Sequence, residues 1–372
     1  MSKTAIVAVS KNGTVLASRR KQAYEDRADL YVDSRFSEYA INYISYDLPL
    51  RPIISRIFHG YDVIVLFLPV GATVRLIAPH LKTKTVDPAV ISVDEMGKFA
   101  VSIVSGHIGG ADKATQEVSE VLGSIPVITS ASHVLGTIPI DLLGKELGWV
   151  LTSDSLTITR ASAMIINGGS IGVYQNSGQR DWLVGLESLA NVVSRYDDLG
   201  DLFSASVDLR LIISDLDVEL AFGSALQHGK STVVYHPKSL VVGMGCRRGV
   251  PVDKLNELLT NSFGEAGLSL LSIAAFATAE IKQDEPGLLE LSEKYGVPLY
   301  SYSVEELNNV FDKESDSSWD FQLDRSEKAH SLLGVWGVSE PSSLLAADSY
   351  DLVMNKRKSE CATVSAARIK YD

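Results

Sequence analysis

One three-part pattern recurs through the N-terminal third of the chain and constrains the fold most. It consists of a short apolar run rich in β-branched residues, a turn that contains glycine, and a helical stretch. The run Val63–Leu68 ends at such a turn, and Ala111–Leu122 has the pattern of a helix that follows one. The runs Pro88–Val93 and Phe99–Val104 are expected to form a hairpin around Met96-Gly97-Lys98. Strands that alternate with helices form mostly parallel sheets covered by helices. The pattern therefore predicts an α/β fold.

Three modules are expected: an N-terminal α/β domain (1–135), a smaller α+β middle module (136–238) and a C-terminal α/β domain (239–372). The middle module differs because its short apolar runs stand among turns rich in Gly, Ser and Asp. Its strand candidates are Thr157–Thr159, Ile171–Tyr174, Leu209–Ser214 and Thr232–Tyr235. In the C-terminal module, Leu240–Met244 and Leu270–Ala275 are expected strands, and both terminal modules are expected to have mostly parallel sheets covered by helices.

The composition fits a globular protein and limits its partners. The 372 residues are 45% hydrophobic and 22% charged, with 46 acidic and 34 basic residues and a formal net charge of −12. An acidic surface repels nucleic acid and anionic membranes, so we expect neither as a partner. No apolar run approaches the roughly 18 residues of a membrane span, and two cysteines are too few for a disulfide framework or a structural zinc site. We expect a soluble cytoplasmic protein without a resident metal, for which a homodimer is a possible assembly.

The segment SGHIGGAD, Ser105–Asp112, is the strongest local candidate for a site because it stands between a strand and a helix. It contains three glycines, Gly106, Gly109 and Gly110. Their backbone N–H groups can converge at a helix N-terminus, where an anion or a developing oxyanion binds. His107 titrates near neutrality and suits general acid–base catalysis, and Asp112 either orients it or caps the helix dipole. The alternative is a tight strand–helix turn with a structural histidine.

A second turn, Pro69–Thr73, also follows a predicted strand; it contains Gly71 and precedes Arg75. If the strands are parallel, this turn faces the same sheet edge as the first turn, and ligands gather at that carboxyl edge in open α/β sheets. Arg75, Lys82 and Lys84 would then supply positive charge there. For the two lysines, a solvated helix end is the alternative interpretation.

A third turn, GMGCRRG at Gly243–Gly249, fails the G-x-G-x-x-G spacing of dinucleotide sites because its last glycine comes one residue late. Its candidate ligand contacts are Gly245, Arg247 and Arg248. Adjacent arginines suit carboxylate recognition, because a guanidinium group binds a carboxylate through two parallel hydrogen bonds. Cys246 is expected to be a buried cysteine rather than a nucleophile. Lys358, in the run Lys356–Ser359, lies either at a charged hairpin tip or in a positive lid over a ligand.

These turns, in this order, resemble those of a known family. The stretch from GATVRLIAPHLK to SGHIGGADKATQEVSEVLG is similar to the N-terminal module of the cobalt-precorrin-5A hydrolases, the CbiG family of anaerobic cobalamin biosynthesis. LVVGMGCRRGVPVDKLNELL and the tail VMNKRKSECATVSAARI are similar to the C-terminal module. The resemblance covers nearly the whole chain and is weakest in the middle. The chain departs from the pattern at Asp112, where Asn is usual, and at Arg357, Glu360 and Cys361 in the tail.

The resemblance implies a reaction. The substrate is a cobalt-bearing, contracted-ring tetrapyrrole with a δ-lactone on ring A; water opens the lactone, acetaldehyde is released and cobalt-precorrin-5B forms. The cobalt arrives with the substrate, so no cofactor is expected. The chemistry requires a base that activates water, donors for a tetrahedral oxyanion, and Arg or Lys partners for the acetate and propionate arms.

These requirements assign roles to the candidate residues. His107 is expected to activate water or to move the proton, with Asp112 as the second catalytic residue. The expected substrate contacts are Gly71, Arg75, Ser105, Gly106, Gly109, Gly110, Gly245, Arg247, Arg248 and Lys358. The tetrapyrrole, a small anionic molecule, is expected in a cleft between the N- and C-terminal modules.

Two other functions remain open. One is a non-catalytic carrier of cobalt-precorrin intermediates, since the C-terminal module also resembles a small stand-alone protein of the aerobic pathway. The other is a nucleotide-binding α/β enzyme, against which the late third glycine and the lack of a clear ribose-binding acid argue.

Overall fold

A computed structural model of the chain describes residues 3–24, 28–83, 86–106, 109–130, 140–183, 192–226, 231–313 and 321–371. These residues form two compact units, Met1–Leu142 and Leu143–Asp372. The described residues contain three mostly parallel or mixed sheets flanked by helices, which confirms the α/β class. Within them, no helix combines the length and the apolar character needed to cross a membrane. The module boundaries at 135/136 and 238/239 stay predictions.

The first unit is built on a seven-stranded sheet in the described residues. Its strands are β1 (Thr4–Ala8), β2 (Ala28–Asp33), β3 (Tyr43–Tyr46), β4 (Val63–Phe67), β5 (Ala89–Val93), β6 (Phe99–Val104) and β7 (Ile125–Val127). Its helices are α1 (Lys11–Tyr24), α2 (Arg51–Ile57), α3 (Val70–Ile77) and α4 (Ala111–Leu122). The central strands β1, β4 and β5 are almost entirely buried, as continuous Val and Ile runs are when both sheet faces are covered.

One reversal of strand direction decides where the turns of this unit lie. The strand order is β3-β2-β1-β4-β5-β6-β7, and β3, β2, β1, β4 and β5 are mutually parallel. β6 pairs antiparallel with β5, through the expected hairpin. In its turn, Asp94 accepts hydrogen bonds from the N–H groups of Met96 (3.0 Å) and Phe99 (2.5 Å), and Gly97 has a φ of 65°. Because β6 runs against β4, the chain leaves these two strands at opposite edges of the sheet.

The second unit begins with a five-stranded sheet, ordered β10-β9-β11-β12-β8. Its strands are β8 (Val150–Leu151), β9 (Ile171–Gln175), β10 (Val193–Tyr196), β11 (Leu209–Ile213) and β12 (Ser231–His236). The helices of this region are α5 (Ile140–Glu146), which contains the division between the units, α6 (Ser155–Ile166), α7 (Leu199–Ser204) and α8 (Val218–Leu226). The region was expected to be α+β, but four of its strands are parallel and only the edge strand β8 is antiparallel.

One predicted strand of this region is wrong. Thr157–Thr159 lies inside α6, because the Asp154 carboxylate accepts a hydrogen bond from the N–H of Thr157 at 2.7 Å and caps a helix that continues to Ile166. A three-residue β-branched run is too short to outweigh that start signal.

The C-terminal sheet of the second unit is ordered β15-β14-β13-β17-β16. Its strands are β13 (Leu240–Cys246), β14 (Ile273–Ala279), β15 (Leu299–Tyr302), β16 (Leu352–Lys358) and β17 (Ala362–Arg368). Its helices are α9 (Val252–Ala266), α10 (Pro286–Tyr295), α11 (Val304–Lys313), α12 (Glu327–Leu333) and α13 (Ser339–Ala347). β13, β14 and β15 are parallel, and β17 is antiparallel to both β13 and β16. The strand expected to begin at Leu270 begins at Ile273, because Ser269 caps a 3₁₀ turn at Leu270–Ser272.

A buried ion pair joins the two sheets of the second unit. Asp215, which follows β11 and is fully buried, binds the Arg368 guanidinium at the end of β17 through two contacts of 2.6 and 3.1 Å. Asn176 and Ser239 donate further hydrogen bonds to the same carboxylate. A buried carboxylate requires such full pairing, so this pair fixes the middle sheet against the C-terminal sheet.

Candidate functional site

The turn between β6 and α4 contains Ser105–Asp112. His107, the expected general base, lies outside the described residues. Ser105 (φ 57°) and Gly110 (φ 83°) both have a left-handed backbone that bends the chain sharply into α4. This conformation is strained for a residue with a side chain, so the serine marks a turn that its surroundings hold in shape.

Two glycines of this turn are required by close packing. A Cβ atom at Gly109 would overlap the Cβ of Ser105, and it would lie 2.8 Å from the Ser105 carbonyl oxygen. A Cβ atom at Gly106 would lie 2.8 Å from Oδ1 of Asp112. Only glycine lets the backbone approach itself this closely.

The backbone N–H groups of the turn form two sets. Those of Ala111 and Asp112, the first residues of α4, donate to the carbonyl oxygens of Ser105 (3.1 Å) and Gly106 (3.0 Å). The set that donates to no acceptor among the described residues comprises Gly106, Gly109 and Gly110. The N–H groups without an acceptor in the described residues of this turn are therefore glycine amides, and Gly110 among them is the N-cap of α4.

The Asp112 carboxylate fastens the turn to its neighbours. Its Oδ1 accepts a hydrogen bond from the hydroxyl of Ser102 on β6, and its Oδ2 accepts one from Ser130 beyond β7, both at 2.7 Å. Hydrogen bonds to a charged acceptor are short and strong, so Asp112 holds the turn in place. Sequence reasoning missed both serines, because isolated hydroxyl groups form no recognisable pattern.

Asp87, just before β5, connects the turn to a lysine. The Ser105 hydroxyl donates to the Asp87 carbonyl oxygen at 2.9 Å, and the Asp87 carboxylate accepts from the backbone N–H of Lys82 at 2.9 and 3.0 Å. The exposed Lys82 thus lies at the same sheet edge as the turn. Lys84 is outside the described residues.

The turn after β4 does not join this group. Gly71 lies at the start of α3, at the carboxyl end of β4, and β6 ends at the opposite edge of the sheet. Arg75 folds back onto its own helix, where Nη1 donates to the Gly71 carbonyl oxygen at 2.9 Å. The expectation that the two turns share one edge is wrong, because the hairpin reverses the direction of β6.

The predicted residues of the C-terminal sheet do lie together. Lys358 on β16 pairs with Thr363 on β17, and Thr363 pairs with Gly245 on β13. Arg247 and Arg248 follow β13 directly, so the two arginines and Lys358 share the carboxyl edge of β13 and β16. All three side chains are exposed. Gly245 has a packing reason as well, since a Cβ atom there would lie 2.9 Å from Oγ1 of Thr363.

A buried ion pair holds the Gly245–Gly249 turn in place. Glu285 is only 2% exposed; its Oε1 accepts from the N–H of Gly249 at 2.5 Å and its Oε2 binds Nζ of Lys282 at 2.9 Å. Burial by itself raises the pKa of Glu285, but these hydrogen bonds and the charge of Arg248 outweigh it, so its pKa lies below the usual value. The N–H of Arg247 donates to the Cys361 carbonyl oxygen at 3.0 Å. Sequence reasoning missed Lys282 and Glu285, although charges three residues apart are a recognisable helical-turn spacing.

The Cys246 thiol beside this turn is half-buried and is not activated as a nucleophile. Burial raises the pKa of the Cys246 thiol to about 11, which keeps it protonated at neutral pH and fits a structural cysteine. Lys356 pairs with Asp324 at 2.7 Å and Arg357 with Glu265 at 3.0 Å, so both are engaged away from the turn. Among the described residues, no group of three or more His, Cys, Asp or Glu side chains could hold a metal ion.

Each unit therefore presents a glycine-rich turn between a strand and a helix. One has amides that donate to no acceptor among the described residues, and the other has exposed arginines and a lysine. Together with the sheets, these turns define the class of protein: an α/β protein with glycine-rich turns between strands and helices.

Comparison with known families makes this class specific. Three family models match the chain: "Cobalamin synthesis G N-terminal" at residues 52–133, "Cobalamin biosynthesis central region" at 138–237 and "Cobalamin synthesis G C-terminus" at 240–367. The chain belongs to the cobalamin synthesis G (CbiG) family, which confirms the resemblance drawn from the turns.

Individual relatives agree with this assignment. The chain is 34% identical to the cobalt-precorrin-5A hydrolase of Priestia megaterium over 371 residues, 99% of this chain and 95% of that protein. It is 27% identical to the cobalt-precorrin-5A hydrolase of Salmonella typhimurium over 309 residues, 82% of this chain and 81% of that protein. Protein CobE of Sinorhizobium sp is 26% identical over 129 residues, 34% of this chain and 79% of that protein. The Priestia megaterium and Salmonella typhimurium relatives are hydrolases by name, which confirms the expected enzyme class.

Proposed function

We propose that this chain is a cobalt-precorrin-5A hydrolase that opens the ring-A δ-lactone with water and releases acetaldehyde, leaving cobalt-precorrin-5B. The observation that carries this proposal is the similarity to the Priestia megaterium hydrolase over 99% of the chain. The cobalt is part of the substrate, and the reaction as proposed uses no cofactor of the protein.

The Ser105–Asp112 turn is the proposed place of the chemistry. Water adds to the lactone carbonyl, and the oxyanion that develops there accepts hydrogen bonds from the unpaired N–H groups of Gly106, Gly109 and Gly110. His107 takes the proton from water and returns it to the alkoxide that leaves when the acyl C–O bond of the lactone breaks. The C–C bond to the two-carbon fragment then breaks, acetaldehyde leaves, and the macrocycle keeps the electron pair and takes up the hydroxyl proton. The expected catalytic role of Asp112 becomes a positioning role in this proposal, because both carboxylate oxygens bind serines that frame the turn.

The turn of the C-terminal sheet is the proposed holder of the carboxylate arms. Arg247, Arg248 and Lys358 are exposed at one sheet edge, and arginine forks match carboxylates in geometry and charge. The pair of Lys282 and Glu285 keeps the turn in the shape that presents the arginines. Gly71 and Arg75 have no role in the oxyanion arrangement, since they lie at the other edge of their sheet. That both turns share one cleft stays a prediction.

The test is to incubate the purified chain with cobalt-precorrin-5A and to measure acetaldehyde with a coupled alcohol dehydrogenase. We expect one acetaldehyde per lactone consumed, with turnover. Tight binding of the lactone without acetaldehyde would reject the hydrolase and support the non-catalytic carrier.

A further inference from the structure

The second unit contains a cavity of about 610 Å³ that the proposed function does not use. It lies between the middle sheet and the C-terminal sheet of that unit. One wall is β12 with the starts of α6 and α8; the other is the end of α9 with the segment Leu268–Leu271. The volume falls within the range of small-molecule sites, about 300–1,000 Å³.

The charge of the lining has one sign. Asp154, Asp217 and Glu219 line the cavity, and no lysine or arginine is among the described residues that do. Asp154 caps α6, and Asp217 caps α8 by accepting from the N–H of Leu220 through Oδ1 at 3.0 Å. The cap of α8 uses Oδ1 of Asp217, whereas the Asp154 carboxylate also interacts with the N–H of Leu156, with the Thr157 side chain and with the charge of Arg160. A polycarboxylate would be repelled here, so this cavity is not a place for the arms of the tetrapyrrole.

Two buried polar residues of β12 also line the cavity. Thr232, Val234 and His236 alternate along β12 and therefore share the face that lines the cavity. Thr232 is 8% exposed, and its Oγ1 has no hydrogen-bond partner in the part of the chain that the structure describes. Buried polar atoms are normally paired, but this oxygen has almost no accessible surface, so Thr232 contributes to the cavity wall without offering its hydroxyl to a ligand.

His236 offers an acceptor. It is 6% exposed, and its Nδ1 lies 3.1 Å from the Ser214 carbonyl oxygen. Because a carbonyl can only accept, Nδ1 carries the hydrogen. Burial lowers the pKa of His236, so the ring is neutral near pH 7 and Nε2 is an acceptor. Carboxylates and an imidazole lone pair together require a ligand that donates hydrogen bonds and carries positive charge.

We propose that this cavity binds a small organic cation, an aliphatic amine with a short apolar body. Its ammonium groups pair with Asp217 and Glu219 and donate to Nε2 of His236. Its carbon chain packs on the apolar part of the lining, which comprises Val218, Val234, Phe263, Leu268, Leu270 and Leu271. Because both sheets contribute to the lining, the bound amine bridges them and stabilises the second unit.

Three probes with the same five-carbon chain test the proposal: 1,5-diaminopentane, 1,5-pentanediol and glutarate. Calorimetry on the purified full-length chain at low salt is expected to show binding of the diamine, with a raised melting temperature. The diol and glutarate are expected to bind at least tenfold more weakly. If the diol binds as well as the diamine, or if the diamine does not bind, the proposal is wrong.

Two variants locate the site. Asp217→Asn and Glu219→Gln are each expected to weaken diamine binding at least tenfold, and the asparagine preserves the cap of α8, so the fold is retained. Asp198→Asn is the matched control, because Asp198 caps α7 through the N–H of Asp201 and does not line the cavity. If both test variants bind the diamine with wild-type affinity, the diamine does not bind in this cavity and the proposal is wrong. The outcome does not depend on acetaldehyde release, so it is separable from the failure of the proposed hydrolase.

Discussion

The two glycine-rich turns look alike in sequence and are built differently. The Ser105–Asp112 turn is shaped by backbone contacts and fastened by one carboxylate, and its unpaired groups are amides. The Gly245–Gly249 turn is held by a buried ion pair and by β17, and its exposed groups are guanidinium side chains. The first suits a small developing charge at a fixed point, and the second suits mobile carboxylate arms.

The comparison shows that glycine is required in these turns for two different physical reasons. Gly109 is required because a Cβ atom would overlap Ser105, whereas Gly110 and Gly249 have open space around them and a left-handed backbone. A substitution therefore tests packing at Gly109 and backbone conformation at the other two. The following substitutions distinguish a chemical role for the Ser105–Asp112 turn from a binding role for the Gly245–Gly249 turn.

The largest effect is expected from His107→Ala. Loss of a general acid–base group lowers kcat by roughly 10²–10⁴-fold, while the dissociation constant for the substrate changes little. Acetaldehyde release under saturating substrate measures the first quantity, and corrinoid absorbance titration measures the second. Turnover at the wild-type rate would remove His107 from the mechanism.

Gly109→Ala compared with Gly110→Ala tests the shape of the same turn. At Gly109 the new methyl group collides with Ser105, so the turn must rearrange, and kcat is expected to fall about 100-fold, as for loss of an oxyanion donor. At Gly110 only the left-handed backbone is strained, at about 1 kcal/mol. Circular dichroism melts check that both variants fold. Equal activity in the two variants would contradict the packing argument.

Glu285→Ala tests the ion pair that holds the Gly245–Gly249 turn. The variant leaves Lys282 buried without its partner, so the free energy of unfolding is expected to fall by about 3 kcal/mol. Denaturant titration measures this change. Glu257→Ala, in the exposed pair with Lys254, is the control and should leave the unfolding midpoint unchanged.

The pH dependence of stability gives a second measure of the same residue. The pKa of Glu285 is lower in the folded chain than the usual 4.5, so the unfolded chain binds the proton first as the pH falls. Its contribution is present above pH 4.5 and is lost as the pH falls through the folded pKa. In Glu285→Gln the acid-side decline should be shallower; an unchanged acid limb would contradict the pairing.

The double variant Arg247→Ala/Arg248→Ala tests recognition without chemistry. Loss of charge-assisted hydrogen bonds to the carboxylate arms is expected to raise KM about 10- to 100-fold at low salt, with kcat within a few-fold of wild type. Arg357→Ala is the control, because this arginine is on β16 next to Lys358 but pairs with Glu265. A fall in kcat with unchanged KM would move the arginines from binding to catalysis.

Local patterns predicted most of the elements. The bounds of α4 agree with prediction because a glycine with a left-handed backbone, Gly123, ends the helix. The contacts that build the site are not local. Asp112 meets Ser130 after the chain has passed through α4 and β7, and Asp215 meets Arg368 across 153 positions. Such pairs follow from the sheet order, which single-sequence patterns do not supply.

The smallest effect is expected from a substitution of Arg75, because the hairpin around Met96–Lys98 separates this arginine from the Ser105–Asp112 turn. The hairpin was predicted correctly, and it places Arg75 and that turn at opposite edges of the sheet. Arg75 is exposed and donates to the Gly71 carbonyl of its own helix, so Arg75→Ala is expected to change kcat and KM less than twofold. Steady-state acetaldehyde release measures both constants. A rise in KM like that of the Arg247/Arg248 variant would show that a carboxylate arm reaches the β4 edge of the sheet, and the substrate would then contact both edges of the first unit.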